Sequence, residues 1–141
     1  MSGRLAWIVA LLLAAASCAG DGVVDMGTPP PLNDAPTLSS LQTSIFSPRC
    51  ALPGCHTSPS PQQGMDLSAG KTYAYTVGVD VTELAGFKRV APGNAADSYV
   101  YMKIAGDPRI AGARMPADGT TLTAAEIQAV GAWIDAGAKD N

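Results

Sequence analysis

Among 141 residues there is one histidine, there are two phenylalanines and two tryptophans, and the nine basic residues form no run. Each shortage excludes something. With His56 as the only imidazole, no site can take two histidines from one chain, and the paired Cys/His spacing of a structural zinc site is lacking. No stripe of Lys or Arg with interleaved aromatics exists, so nucleic-acid binding has no electrostatic footprint. Strand patterns are sparse and no internal repeat is found, which leaves a mainly α single domain. The hydrophobic content of 47% is largely alanine, with aromatics at only 6%. A domain of this size buries about two-thirds of its unfolded surface. A core so poor in bulky groups therefore usually needs a staple, a metal or a cofactor.

The one long apolar run lies at the N-terminus, where Arg4 precedes Leu5 to Ala16 and the small-residue string "AAASCAG". That order of a basic, an apolar and a small-residue region predicts an export signal over residues 1–17. The run is shorter than the roughly 20 residues a spanning helix needs. Ala15-Ala16-Ser17-Cys18 resembles the bacterial lipoprotein box, with Ala15 where that family usually has leucine. The resemblance implies lipidation of Cys18, an envelope location with a lipid anchor in the membrane, and, from Ala19 after the cysteine, the outer membrane. Cleavage near Ala19 without lipidation is the alternative. Residues 18–36 carry three aspartates, no basic residue and a proline run, and are expected to be a solvated tether. Beyond it the chain has 8 basic and 9 acidic residues, so the domain over 37–141 is nearly neutral.

Within that domain, Leu38, Leu41, Ile45 and Phe46 stand at helical spacing behind a Thr37 N-cap, and Pro48 is expected to end the pattern. At the other end, "TAAEIQAVGAWIDAGA" opens with a capping box, Thr123 and Glu126. It lines up Ile127, Val130, Gly131 and Ile134, and offers Gly137 as a C-cap. Shorter helices are predicted over 69–77 and 97–104. Between these elements run two Gly- and Pro-rich loops, 56–68 and 105–122. Loops that long in a small domain usually have a functional task, here the wrapping of a ligand.

The chemistry concentrates in "SPRCALPGCHTSP", where Cys50 and Cys55 enclose four residues and His56 follows directly. A disulfide would use the two thiols and leave the imidazole idle. Copper or zinc would use all three and want a methionine as a fourth ligand. Covalent haem would take both thiols into thioethers with the vinyl groups and the imidazole onto the iron; its usual signature is C-x-x-C-H. Here the gap is two residues longer, with Pro53 and Gly54 able to turn the surplus back, and attachment through one or through two cysteines is compatible with it.

Residues 37–139 resemble the c-type cytochrome domains of the planctomycete type, small haem modules of exported bacterial proteins. The matching pieces, in order, are "IFSPRCALPGCH", "GMDLSAG", "RVAPGNAADSYVYMKIAG", "RMPADG" and "LTAAEIQAVGAWIDAGA". The resemblance implies a small cytochrome c-like domain with crossing first and last helices, and one haem c attached at Cys50 and Cys55. It makes His56 the proximal ligand and Met115, of the Met-Pro loop, the distal one. A thioether is the natural soft ligand where a second imidazole is missing, and Met65 and Met102 are its competitors.

The function implied is electron transfer to redox partner proteins and not enzymatic turnover, because iron held by His and Met keeps no open position. Without Met115 on the iron, a five-coordinate haem could sense a gas or reduce peroxide. Lys88, Arg89, Arg109 and Arg114 are candidate partners of the haem propionates, and Trp133 either touches haem or packs on the first helix. The readings from other classes are a haem-free envelope module with a Cys50–Cys55 disulfide, and a copper or zinc module.

Overall fold

The structure is a computed structural model that describes residues 35–141. The signal segment, Cys18 and nearly all of the tether lie outside the described residues. Thr37 opens the first helix, its hydroxyl accepting from the Ser40 amide at 3.1 Å. Helix α1 (Leu38–Leu41) then continues as a π-helical segment, Gln42–Cys50. The sequence expectation that Pro48 stops the helix is corrected here: helical winding runs through it. Proline has no N–H to give and its ring crowds the carbonyl four residues back. The wider winding accommodates it, with the Ala51 amide reaching the Phe46 carbonyl, five residues back, at 2.7 Å. Single stretches of this kind favour functional sites.

The other helices are α2 (Thr72–Thr76), α3 (Tyr99–Ala105) and α4 (Ala124–Asp135). Among the described residues there is no strand, only isolated bridges such as Val77 with Val90. The described residues are mainly α, as the sparse strand patterns predict. The capping box of α4 forms: Glu126 N–H donates to the Thr123 hydroxyl at 3.2 Å, and the Glu126 carboxylate accepts from Thr123 N–H at 2.7 Å. At its far end Gly137, at φ +102°, lets the Gly137 and Ala138 amides fold back onto the carbonyls of Ile134 and Trp133.

Leu41, Ile45 and Phe46 of the first helix meet Val130, Trp133 and Ile134 of α4 in one core, each no more than 3% exposed. Burying each such side chain is worth about 1.5–3 kcal/mol. Trp133 packs inside that core and donates its indole N–H to the Lys139 carbonyl at 2.9 Å. The two ends of the domain are tied as well, since Leu38 N–H donates to the Asn141 side chain at 2.9 Å. Helix α3 lies against α4 at Gly131, where an added methyl would stand 2.9 Å from the Tyr101 ring. This close approach holds α3 in place, and α3 is one wall of the cavity described next.

Candidate haem-binding site

The turn between the cysteines shows how the chain absorbs two extra residues. Pro53 and Gly54 occupy the centre of a β-turn closed by Cys55 N–H donating to the Leu52 carbonyl at 2.9 Å. Gly54 sits at φ +80°, a left-handed conformation that glycine adopts without strain. His56 N–H then donates to the Cys50 carbonyl at 3.1 Å, so the segment Cys50–His56 closes into a loop.

His56 is 9% exposed. Its Nδ1 lies 3.3 Å from the Met65 carbonyl, which can only accept, so Nδ1 carries the proton and Nε2 keeps its lone pair. Burial pushes the imidazole pKa below its ordinary value. The carbonyl bonds of Met65 and Gln62 pull it partly back up, and the weaker effect of the Arg89 and Lys103 charges adds to the lowering. The ring is therefore neutral at neutral pH, the form a metal ligand needs. A backbone carbonyl on the far nitrogen is also the usual support of a ligating histidine.

That support is braced in turn. Asp66, next to Met65, is 1% exposed and accepts from the Ser58 hydroxyl at 2.6 Å, Lys71 Nζ at 2.9 Å and Ser68 N–H at 3.0 Å. These donors hold its carboxyl well below the usual carboxylate range. Leu67 N–H donates to the His56 carbonyl at 2.8 Å.

Cys50, Cys55, His56 and Met115 all line one cavity of about 520 Å³, within the range of about 300–1,000 Å³ typical of small-molecule sites. Its apolar walls come from Ile45 and Phe46 of the first helix, Val100 and Ile104 of α3, Leu122 and Val130. Both loops predicted to wrap a ligand contribute to it, the first through Met65 and Leu67, the second through Met115 and Pro116. Cys50 and Cys55 are free thiols, the first half-buried and the second exposed. Desolvation pushes the Cys50 thiol up to about 11, so it stays protonated at neutral pH.

Of the competing methionines, Met102 is 1% exposed in a separate small cluster with Val81 and Tyr99 and does not line the cavity. Met65 does, but its carbonyl bonds His56, which places its backbone beside the imidazole. Met115 enters from the loop after α3. Among the propionate candidates only Arg89 lines the cavity. Lys88 is paired with Asp80, Arg109 with Asp107 and Asp97, and Arg114 donates to the Ile104 carbonyl. Trp133 is not in the lining.

Among the described residues no three His, Cys, Asp or Glu side chains are gathered closely enough to hold a bare metal ion. The donor set suits haem better: one neutral imidazole with its tautomer fixed, a thioether on a separate loop, two thiols lining the same cavity, and largely apolar walls. Sequence reasoning missed Tyr99 and Lys103, which also line the cavity. No family model, no curated protein and no solved structure matches the chain.

Proposed function

We propose that the protein is an exported, lipid-anchored c-type cytochrome that binds one haem covalently and transfers electrons. The observation that carries this reading is the convergence of Cys50, Cys55, His56 and Met115, 65 residues apart in sequence at the extremes, on one apolar cavity. In this reading Cys50 and Cys55 would hold the porphyrin, His56 and Met115 would ligate the iron, and Arg89 would pair with a propionate. Haem supplies a one-electron ferric/ferrous couple.

The chain's own residues set the conditions for that couple. The Met65 carbonyl orients His56, the Asp66 network keeps that carbonyl in place, and Ile45, Phe46, Val100 and Ile104 exclude water. Low polarity and a thioether ligand both favour the ferrous state and raise the potential. With His56 and Met115 both ligating the iron, no position would be left for substrate, so the protein would serve as a carrier and not as an enzyme. Its partners are redox proteins of the envelope, and lipid on Cys18 is its anchor.

The two proposed ligands test the reading because they should fail differently. His56→Ala, expressed with a cytochrome c maturation system, should accumulate little holoprotein. Met115→Ala should keep covalent haem but lose the near-infrared band of ferric His/Met haem, with a lower potential. Equal haem content and an unchanged band in both variants would refute the assignment. For the anchor, fractionation of Cys18→Ala beside the wild type should release only the variant; identical behaviour of the two would refute lipidation there.

A further inference from the structure

The haem reading leaves Lys103 without a task. Its side chain is 8% exposed, lines the cavity, and has no carboxylate among the ion pairs of the described residues. Lysines are almost never buried unless paired. The ammonium instead donates to the Ala111 carbonyl at 2.7 Å and lies 5.8 Å from the centre of the Tyr99 ring.

Tyr99, one turn earlier on α3 and 4% exposed, accepts from Ala111 N–H with its hydroxyl oxygen at 3.0 Å. Two buried side chains of one helix thus take both backbone polar groups of a single loop residue. Ala111 is itself exposed, so its methyl gives the core nothing. What Lys103 and Tyr99 secure is the loop's path. Three residues on, Arg114 Nε donates to the Ile104 carbonyl at 2.9 Å, and the Met115 amide donates to the Lys103 carbonyl at 2.9 Å. The segment that delivers Met115 is therefore pinned at both ends to the last turns of α3.

We propose that Lys103 and Tyr99 are positioning residues that strap the 111–115 loop to α3 and so keep the Met115 thioether on the iron. The inference rests on the haem reading above. A thioether is a neutral ligand and a weaker donor than imidazole, so whether it stays bound depends on how little freedom its loop gains by letting go. The cation makes the Ala111 bond charge-assisted, roughly twice as strong as a neutral one. That gives a reason for a buried lysine where no acid answers it.

The experiment is a titration of the ferric holoprotein with imidazole, which competes with Met115, followed by loss of the near-infrared His/Met band. Variants are Tyr99→Phe, which removes one oxygen and keeps the ring, Lys103→Leu, and Met115→Ala as the limit of a site with no internal competitor. Thr37→Ala, at the N-cap of the first helix and outside the cavity lining, serves as a purely destabilising control. Tyr99→Phe should raise imidazole affinity about fivefold, the weight of one ordinary hydrogen bond, and Lys103→Leu by more. Thr37→Ala should match the wild type.

Affinities of Tyr99→Phe and Lys103→Leu equal to the wild type, with Met115→Ala clearly tighter, would overturn the strap and leave the haem reading intact. Met115→Ala no tighter than the wild type, or a protein without haem, would overturn the reading beneath it and the strap together.

Discussion

Gly131→Ala probes the contact that fixes α3, and through it the wall that carries the Met115 loop. Two effects of opposite sign meet there. Alanine in a helix interior is favoured over glycine by about 1 kcal/mol. Against it, the new methyl would lie 2.9 Å from Tyr101 Cε2 and 3.5 Å from Cζ, where carbon atoms prefer about 3.5–4.0 Å. The Tyr101 ring is half-buried against the core, so it must move by well over half an ångström into packed surroundings. Overpacking of this kind costs about 1–3 kcal/mol. The strain wins, and Gly131→Ala should destabilise the domain by about 1 kcal/mol.

Removing the obstacle should reverse the sign. In a Tyr101→Ala background, Gly131→Ala should stabilise by about 1 kcal/mol, because only the helix preference remains. Urea unfolding followed by far-UV circular dichroism on all four proteins gives the coupling. If Gly131→Ala has the same effect with and without Tyr101, α3 does not approach α4 as described.

Thr123→Ala removes the hydroxyl of the capping box and should cost about 1 kcal/mol in the same assay, while Thr123→Ser, which keeps a capping hydroxyl, should cost nothing. The acid side of the stability profile belongs first to Asp66. A carboxyl held below its ordinary value in the folded state contributes fully above pH about 4 and loses that contribution as pH falls through and below it. Urea midpoints between pH 3 and pH 6 should therefore drop for the wild type and flatten for Asp66→Asn; parallel curves would show that the network is not what titrates. His56 acts in the same direction higher up: its folded pKa is lowered, so below about pH 6.5 the unfolded chain takes the proton first and apoprotein stability declines. That decline should be missing from His56→Ala.

Much of this architecture was legible from residue pattern. Thr37, Thr123, Glu126 and Gly137 announced helix ends by local chemistry, and each makes the bond its type predicts, because capping depends on neighbours within one turn. The Pro53-Gly54 turn was readable for the same reason. Pro48 was misjudged because its effect depends on winding: an α-helix would have broken, whereas the π-helical segment carries the chain on to Cys50. Lys103 and Tyr99 were missed because their task is to hold a backbone carbonyl and amide eight and twelve residues away, which no side-chain pattern encodes. The Asp66 brace was invisible on similar grounds. "GMDLS" shows an aspartate, but only the fold brings Ser58 and Lys71 to it.

The central claim is that Cys50, Cys55 and His56 hold haem covalently. Its most direct test is the visible spectrum and the haem stain, after denaturing electrophoresis, of the full chain co-expressed with a cytochrome c maturation system, with Cys50→Ala/Cys55→Ala alongside. The account predicts a red protein whose stain survives denaturation and is absent from the double variant. A colourless, correctly exported wild type carrying a Cys50–Cys55 disulfide would contradict it.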